Sequence, residues 1–213
     1  MTLLAVDTSG PQGSLALAEV SASGVSAPLQ VTWHKLAMHS DVATLELQNL
    51  MQRAGKAFSA LGTLTVNIGP GSFTGLRVGL NLTRTLAYAL DLRITPFNSL
   101  ELLARKYSRP GERVLVGVKA IQSYTYAATY EHHADGLHEL MGPCCLEAQS
   151  LEREAKKCTK LVLEGQTEAR DLIFAFASGP DIRPDFSWND VKPLYIRASE
   201  PEEKLKKGLI QPL

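Results

Sequence analysis

The stretch that most constrains the fold is NIGPGSFTGLRVGL at residues 67–80, where four glycines and a proline fall within eleven residues. The apolar run before it, Leu64–Ile68, is typical of a short buried strand. Residues 72–90 after it show the apolar period of a helix. The sequence therefore predicts a strand–loop–helix unit. Its loop could bring backbone amides to an anion or let another chain segment approach closely.

Neither familiar nucleotide-binding motif is present in this loop. A Walker loop needs a lysine after its second glycine, and none follows here. The dinucleotide fingerprint needs a third glycine where this chain has Thr74. Instead, small residues recur every fourth position along the predicted helix, at Gly75, Gly79, Thr83 and Ala87. Such a stripe favours close packing or an interface over phosphate binding.

The rest of the first half alternates strands and helices. Strands are predicted at Leu3–Asp7, Ser14–Val20, Gln30–Leu36 and near Ile94, and helices at Asp41–Ala54 and Ser99–Tyr107. The predicted order is thus β-β-β-α-β-α-β-α. An early hairpin followed by strand–helix alternation indicates a mixed sheet with helices packed on it.

A polar Arg-Pro-Gly-Glu turn at 109–112 marks a predicted boundary between two units. We expect a first domain at residues 1–108 and a smaller α/β domain at 109–213, whose tail could pack back on the first. Strands at Arg113–Val118, Tyr124–Tyr130 and Leu161–Leu163, and a helix at Thr167–Ala177, are assigned to the second unit. Residues 131–160 receive no prediction.

The charge balance argues against nucleic-acid binding by the whole surface. Lysine plus arginine number 22 and aspartate plus glutamate number 22, so the net charge is zero, whereas such proteins usually carry a basic excess. The nearest basic cluster, at residues 204–207, has two glutamates beside it and is typical of a solvated helix end.

Cysteine usage and hydropathy narrow the class of protein further. The three cysteines include no Cys-x-x-Cys pair, which argues against a disulfide framework and a zinc site. The apolar stretch at the start is too short for a signal peptide, and no segment has the length and apolar character of a membrane span. We therefore expect a cytoplasmic protein with no membrane contact.

Three stretches of this sequence together resemble the TsaB (YeaZ) family. They are MTLLAVDTS at the start, HSDVATLELQNLMQRAG at 39–55 and IGPGSFTGLRVGLNLTRTLAYAL at 68–90. The resemblance is strong over roughly residues 1–105 and continues weakly at 162–165 and at KPLYIR, 192–197. It implies the actin-like (ASKHA, ribonuclease-H-like) fold. It also implies a non-catalytic subunit that works with the catalytic protein TsaD and the ATPase TsaE to make N6-threonylcarbamoyladenosine beside the tRNA anticodon.

The resemblance also bears on metal and nucleotide binding. The catalytic relative of the family binds a metal through His-x-x-x-His, and here His39 is followed by Ala43 at the second position. We therefore expect no catalytic residue and no metal, because one imidazole makes a poor metal site. Asp7 lies where actin-like ATPases begin their first phosphate loop, but no lysine follows it. The expectation is a weak, vestigial nucleotide contact at Asp7, with ATP or ADP at the partner interface left open as a cofactor.

Partner docking is expected on the two helices at 41–54 and 72–90. The resemblance implies a four-helix contact with the two corresponding helices of a related chain. We expect the small side chains of the stripe to leave the outer face of the second helix flat, so that a partner helix can approach closely. A leucine at Gly79 would then hold the two proteins apart. The predicted interface residues are His39, Leu45, Leu50, Ser72, Phe73, Gly75, Arg77, Gly79 and Thr83. The expected partners are a catalytic TsaD homologue, a TsaE-type ATPase, tRNA through the complex and, for the lone chain, a second copy.

One alternative from a different class stays open. The same fold could carry an independent nucleotide- or sugar-phosphate enzyme, because a fold alone does not set function. Such an enzyme should keep two acidic residues around its phosphate loops and bind ATP unaided. The missing second histidine and the missing lysine favour the scaffold subunit.

Overall fold

The computed structural model describes residues 1–34, 39–120, 123–178 and 185–196, without the side chains of residues 39–41. Its first sheet has six strands: β1 (Thr2–Asp7), β2 (Gln12–Ser21), β3 (Gly24–Val25), β4 (Leu29–His34), β5 (Leu61–Asn67) and β6 (Ile94–Phe97). The order is β3-β2-β1-β5-β6, with β4 also paired to β2. β1 is antiparallel to β2 and parallel to β5, so the sheet is mixed as predicted.

Helices cover both faces of this sheet. α1 (His39–Arg53) and α2 (Phe73–Leu90) share one core with Leu4 and Val6 of β1, while α5 (Ala169–Ala177) packs on the other face with Leu3 and Ala5. Alternate side chains of a strand project to opposite faces, so a fully apolar β1 serves both cores. The mixed sheet between helix layers confirms the predicted actin-like fold class.

The second sheet has four strands in the order β10-β7-β8-β9. They are β7 (Arg113–Lys119), β8 (Thr125–His133), β9 (Gly136–Leu146) and β10 (Lys160–Val162). α3 (Ser99–Tyr107) lies between the two sheets, since Leu102 belongs to the core shared with α5 and Leu103 to the core shared with β7 and β8. β9 and α4 (Ala148–Ala155) form most of residues 131–160, for which no prediction was made.

One helix packs on a different sheet from the one expected. The helix predicted at 167–177 was assigned to the second unit, but α5 packs on the first sheet. The reason is its apolar face: Leu172 and Ile173 are fully buried with Leu3 of β1. The chain therefore returns to the first sheet after β10.

Residues 185–196, here called the strap, also return to the first sheet. Phe186 forms an antiparallel bridge with Ile94, the first residue of β6, with N–H···O distances of 2.8 and 3.0 Å. Val191 is buried in the core shared by α1 and α2. The backbone N–H of Leu194 donates to the carbonyl of Ile68 at 2.8 Å. The strap thus runs from the sheet edge to the start of the glycine loop. None of the helices described is long and apolar enough to cross a membrane.

Candidate functional site

The centre of the candidate site is the carboxylate of Asp7, which closes β1 and is almost fully buried. Its Oδ1 accepts hydrogen bonds from the backbone N–H of Ser9 at 2.9 Å and from the Ser9 hydroxyl at 2.7 Å. Its Oδ2 accepts from the Asn67 amide at 3.0 Å and from the Thr167 hydroxyl at 2.6 Å. Neutral groups of the chain itself therefore surround both carboxylate oxygens.

Asn67 extends this cluster to two further segments. Its side-chain oxygen accepts from the backbone N–H of Gly69 and from the hydroxyl of Ser99, each at 2.9 Å. Thr167 stands just before α5, in the segment that leads back from the second sheet. The cluster consequently joins the ends of β1 and β5, the glycine loop, the start of α3 and the entry to α5.

A cleft of about 90 Å³ opens beside this cluster, between the β1–β2 turn and the segment before α5. Its polar lining consists of hydroxyl and amide side chains: Ser9, Gln12, Ser99, Gln166 and Thr167. Cofactor and ligand sites usually occupy about 300–1,000 Å³. No lining residue is titratable, so the walls of the cleft supply neither a general acid or base nor a charge to neutralise phosphate. Among the described residues, no group of three or more His, Cys, Asp and Glu side chains could hold a metal.

Among the described residues, no group with a shifted pKa is part of the lining of this cleft. Burial raises the pKa of Asp171 in α5, although Lys106 donates to it at 2.8 Å and opposes the shift. Burial also raises the pKa of Tyr130 in β8. The Arg113 guanidinium lowers the pKa of Glu131 on the second sheet. Each shift therefore has a local structural cause, and none marks the cleft as a site of acid–base chemistry.

The glycine loop holds the chain's own β1–β2 turn. The Ser72 N–H donates to the carbonyl of Ser9 at 2.7 Å, and the Thr8 hydroxyl donates to the carbonyl of Gly75 at 2.7 Å. A Cβ atom at Gly75 would overlap the carbonyl oxygen of Thr8, and one at Gly79 would overlap the Thr8 hydroxyl. The glycines are therefore required for this close approach. The loop therefore serves close packing within the chain, which is one of the two roles predicted for the small-residue stripe.

The expectation that the stripe faces outward is wrong. Gly75, Gly79 and Thr83 are buried on the side of α2 that contacts β1 and the turn after it. Leu50, also predicted at the interface, is fully buried in the core beneath α1 and α2. Ser72 serves as the N-cap of α2, and its hydroxyl accepts from the Gly75 N–H at 3.1 Å. Packing and capping within the chain account for all five residues.

The remaining predicted interface residues are exposed, with one outside the described part. Leu45 of α1 is 55% exposed and Phe73 of α2 is 42% exposed. Arg77 is exposed one turn after Phe73, with its guanidinium 4.0 Å from the centre of that ring. The side chain of His39 is not among those the structure describes. Ala43, at the second position of the His-x-x-x-His pattern, is a core residue with 1% exposure.

The structure adds site residues that the sequence analysis missed. Thr167 contacts Asp7 across 160 positions of sequence, so no local pattern could pair them. Asn67 could have been identified from the sequence, because it is a polar residue that ends a buried strand directly before the glycine loop. Trp188 and Tyr195 of the strap lie in a stretch with several prolines, whose path is hard to predict.

Comparison with known proteins supports the recognition from sequence. Residues 36–188 match the family model described as TsaD: tRNA N6-adenosine threonylcarbamoyltransferase. The chain is 38% identical over 104 residues to the tRNA threonylcarbamoyladenosine biosynthesis protein TsaB of Bacillus subtilis, covering 49% of this chain and 44% of that protein. It is 29% identical over 142 residues to the Escherichia coli TsaB, covering 64% and 58%. The chain thus matches about half the length of these relatives.

A solved structure extends the likeness to nearly the whole fold. YeaZ from Pseudomonas aeruginosa superposes with a TM-score of 0.71 at 23% identity, covering 91% of this chain and 99% of that one. At this identity the likeness concerns the fold. The family model matches well over half of the sequence, and so the chain belongs to the TsaD family and, within it, to the TsaB (YeaZ) proteins.

Proposed function

We propose that this chain is a non-catalytic subunit for N6-threonylcarbamoyladenosine modification of tRNA next to the anticodon. It acts in the cytoplasm with a catalytic TsaD homologue and a TsaE-type ATPase. The observation that carries the proposal is the Asp7 carboxylate, whose two oxygens accept four hydrogen bonds from neutral groups of the chain itself. An aspartate engaged in this way has little capacity left for a metal or a nucleotide.

The position of Ala43 supports the same conclusion. The residue is packed in the core with Leu47 and Leu50, so the place of a second metal-binding histidine is part of the hydrophobic interior. A histidine there would have to bury its polar ring among aliphatic side chains, which is costly without a hydrogen-bond partner. The helix is thus built for packing at this position.

The names of the relatives indicate the pathway in which we propose that this chain acts. The Bacillus subtilis and Escherichia coli proteins are both called tRNA threonylcarbamoyladenosine biosynthesis protein TsaB. Because the matched stretches cover only 44% and 58% of those proteins, their role is transferred here as part of the proposal. The exposed outer faces of α1 and α2, including Leu45, Phe73 and Arg77, are proposed to contact the TsaD homologue, or a second copy of this chain when it is alone.

The alternative of an independent phosphate-binding enzyme finds little support in the cleft. A nucleotide or sugar phosphate brings two or more negative charges, and no cationic side chain lines this cleft. The cleft is also several times smaller than usual cofactor sites, at about 90 Å³ against about 300–1,000 Å³.

Reconstitution tests the proposal directly. Purified chain, the TsaD homologue and the TsaE-type ATPase of the same organism are combined with tRNA and the activated threonylcarbamoyl donor, and modified adenosine is measured. We expect modification only when all three proteins are present, and no ATP hydrolysis by this chain alone. Full modification without the chain would refute the proposed role. Micromolar ATP binding to the lone chain, abolished by Asp7→Ala, would instead support the enzyme alternative.

A further inference from the structure

The cleft beside the Asp7 cluster has an apolar wall opposite its hydroxyl and amide groups. This wall consists of Leu103 of α3 and Val118 of β7, with Pro11 and Pro70 at the two loops. None of the lining side chains is titratable, so a charged group that entered the cleft would lose its hydration without gaining a counter-charge. The cleft therefore suits a small neutral group that has both aliphatic and amide parts.

The strap ends beside the core that forms this apolar wall. Ile196, the last described residue of the strap, packs against the core of the second sheet. Leu103 belongs to that core and Val118 packs on it, and both residues also line the cleft. The chain that continues beyond the strap consequently starts out next to the cleft.

The sequence beyond the strap changes character at residue 208. Residues 197–213 lie outside the part of the chain that the structure describes. Seven of the eleven residues at 197–207 are charged, whereas residues 208–213, Gly-Leu-Ile-Gln-Pro-Leu, include no titratable side chain. Only the second part of this stretch matches the neutral lining of the cleft.

We infer that residues 208–213 occupy the cleft, so that the chain closes it with a segment of its own. An aliphatic side chain, from Leu209 or Ile210, would pack against the apolar wall. The amide of Gln211 both donates and accepts hydrogen bonds, as do the hydroxyl and amide groups that line the opposite side. The inference goes beyond the proposed function and does not depend on it.

The length of chain between the strap and this segment is sufficient for the contact. Gly208 follows Ile196 by 12 residues. At about 3.3–3.6 Å per residue, 12 residues span up to about 40 Å, more than twice the radius of gyration of about 17 Å expected for a compact chain of this length. A short tether also gives the attached segment an effective concentration on the order of millimolar. Even a weak site is therefore occupied.

Hydrogen exchange followed by mass spectrometry tests the inference. Residues 165–167 line the cleft and belong to no helix or strand, so their amides exchange fast unless another segment covers them. We expect exchange at these residues to be at least about fivefold faster in a chain that ends at Lys207 and in full-length Ile210→Asp, because docking slows exchange in proportion to its population. Ala198→Asp adds the same charge outside the neutral segment and should exchange as wild type does.

Addition of the missing segment in trans completes the test. A synthetic Gly-Leu-Ile-Gln-Pro-Leu peptide, added at about millimolar concentration to match the tether, should restore slow exchange to the chain that ends at Lys207. Thermal melting establishes that each variant is folded. If residues 165–167 exchange equally fast in the full chain, the shortened chain and Ile210→Asp, the inference is wrong. Slow exchange that is lost on dilution of the full chain would also overturn it, because the occupant would then come from a second copy.

Discussion

The Thr8 hydroxyl donates to the backbone carbonyl of Gly75 at 2.7 Å, which bonds the turn after β1 to the first turn of α2. A second hydrogen bond runs beside it, from the Ser72 N–H to the Ser9 carbonyl. The glycine-rich loop and the β1–β2 turn are therefore one packed unit. This relationship explains the glycines at positions 71, 75 and 79, where a Cβ atom would overlap Ser9 or Thr8.

Gly79→Leu should destabilise the chain itself. From the sequence alone, this substitution is expected to act on a partner, but the new side chain would meet the Thr8 hydroxyl and Val6 inside the protein. Overpacking of this kind costs about 1–3 kcal/mol in the free energy of unfolding. The matched control is Asn81→Leu on the exposed side of the same helix, expected within about 0.5 kcal/mol of wild type. Urea unfolding followed by circular dichroism measures both, and equal stabilities would contradict the packing described here.

Thr167→Val should loosen the entry to α5. The substitution keeps the shape of the side chain but removes the donor at 2.6 Å from the Asp7 carboxylate. A hydrogen bond to a charged group contributes about 1.5–3 kcal/mol. We expect a loss of about that size in unfolding free energy and faster amide hydrogen exchange at the start of α5. Thr32→Val on the exposed side of β4 is the control. Unchanged exchange in the Thr167 variant would mean that this bond does not hold the segment.

Leu45→Asp should weaken binding to the TsaD homologue and leave the fold intact. Leu45 is 55% exposed on α1, so a charge there does not enter the core, although it would enter a partner's apolar contact. Truncating or charging a central interface residue costs about 2 kcal/mol or more, roughly thirtyfold in affinity. Leu161→Asp, at 48% exposure on β10, is the matched control. If calorimetry gives the same loss for both variants, α1 is not part of the interface.

Glu19 should contribute to stability above acidic pH. Its carboxylate accepts from Lys56 at 2.7 Å, and this bond lowers its pKa. A lowered folded-state pKa stabilises the fold above the unfolded value of about 4.3 and the gain is lost as pH falls through the folded pKa. The stability difference between pH 7 and pH 3 should therefore shrink in Glu19→Gln, and more so at low salt. Glu152→Gln, an exposed glutamate of α4, should leave that difference unchanged.

The sequence predicted the elements whose patterns are local. The first hairpin, β5, α2 and α3 were all predicted from local apolar patterns, and all are present. The orientation of the small-residue stripe was not predicted correctly, because spacing shows that a helix side is flat but not what it packs against. Leu76 and Leu80 could have indicated that the stripe faces the core. Both are apolar residues beside the stripe, and both are buried.

The site itself depends on contacts between distant parts of the chain. Asp7 was identified from the resemblance, whereas its bonds to Asn67 and Thr167 depend on how the chain returns from the second sheet. The helix α5 was assigned to the second unit but packs on the first sheet, because an amphipathic helix can pack on any apolar face of suitable size and its sequence does not show which one. Local patterns therefore sufficed for the elements and not for the assembly of the site.

The bond between Asp7 and Thr167 also sets an order of events during synthesis. The two residues are 160 positions apart, which at roughly 5–20 residues per second separates their emergence by about 8–32 seconds. During that interval the first hairpin carries a carboxylate whose native enclosure is incomplete. A nascent chain that stopped after β6 would already contain all six strands of the first sheet and still lack the Thr167 hydroxyl that bonds to Asp7. The Thr167 hydroxyl is therefore synthesised long after the Asp7 carboxylate to which it donates.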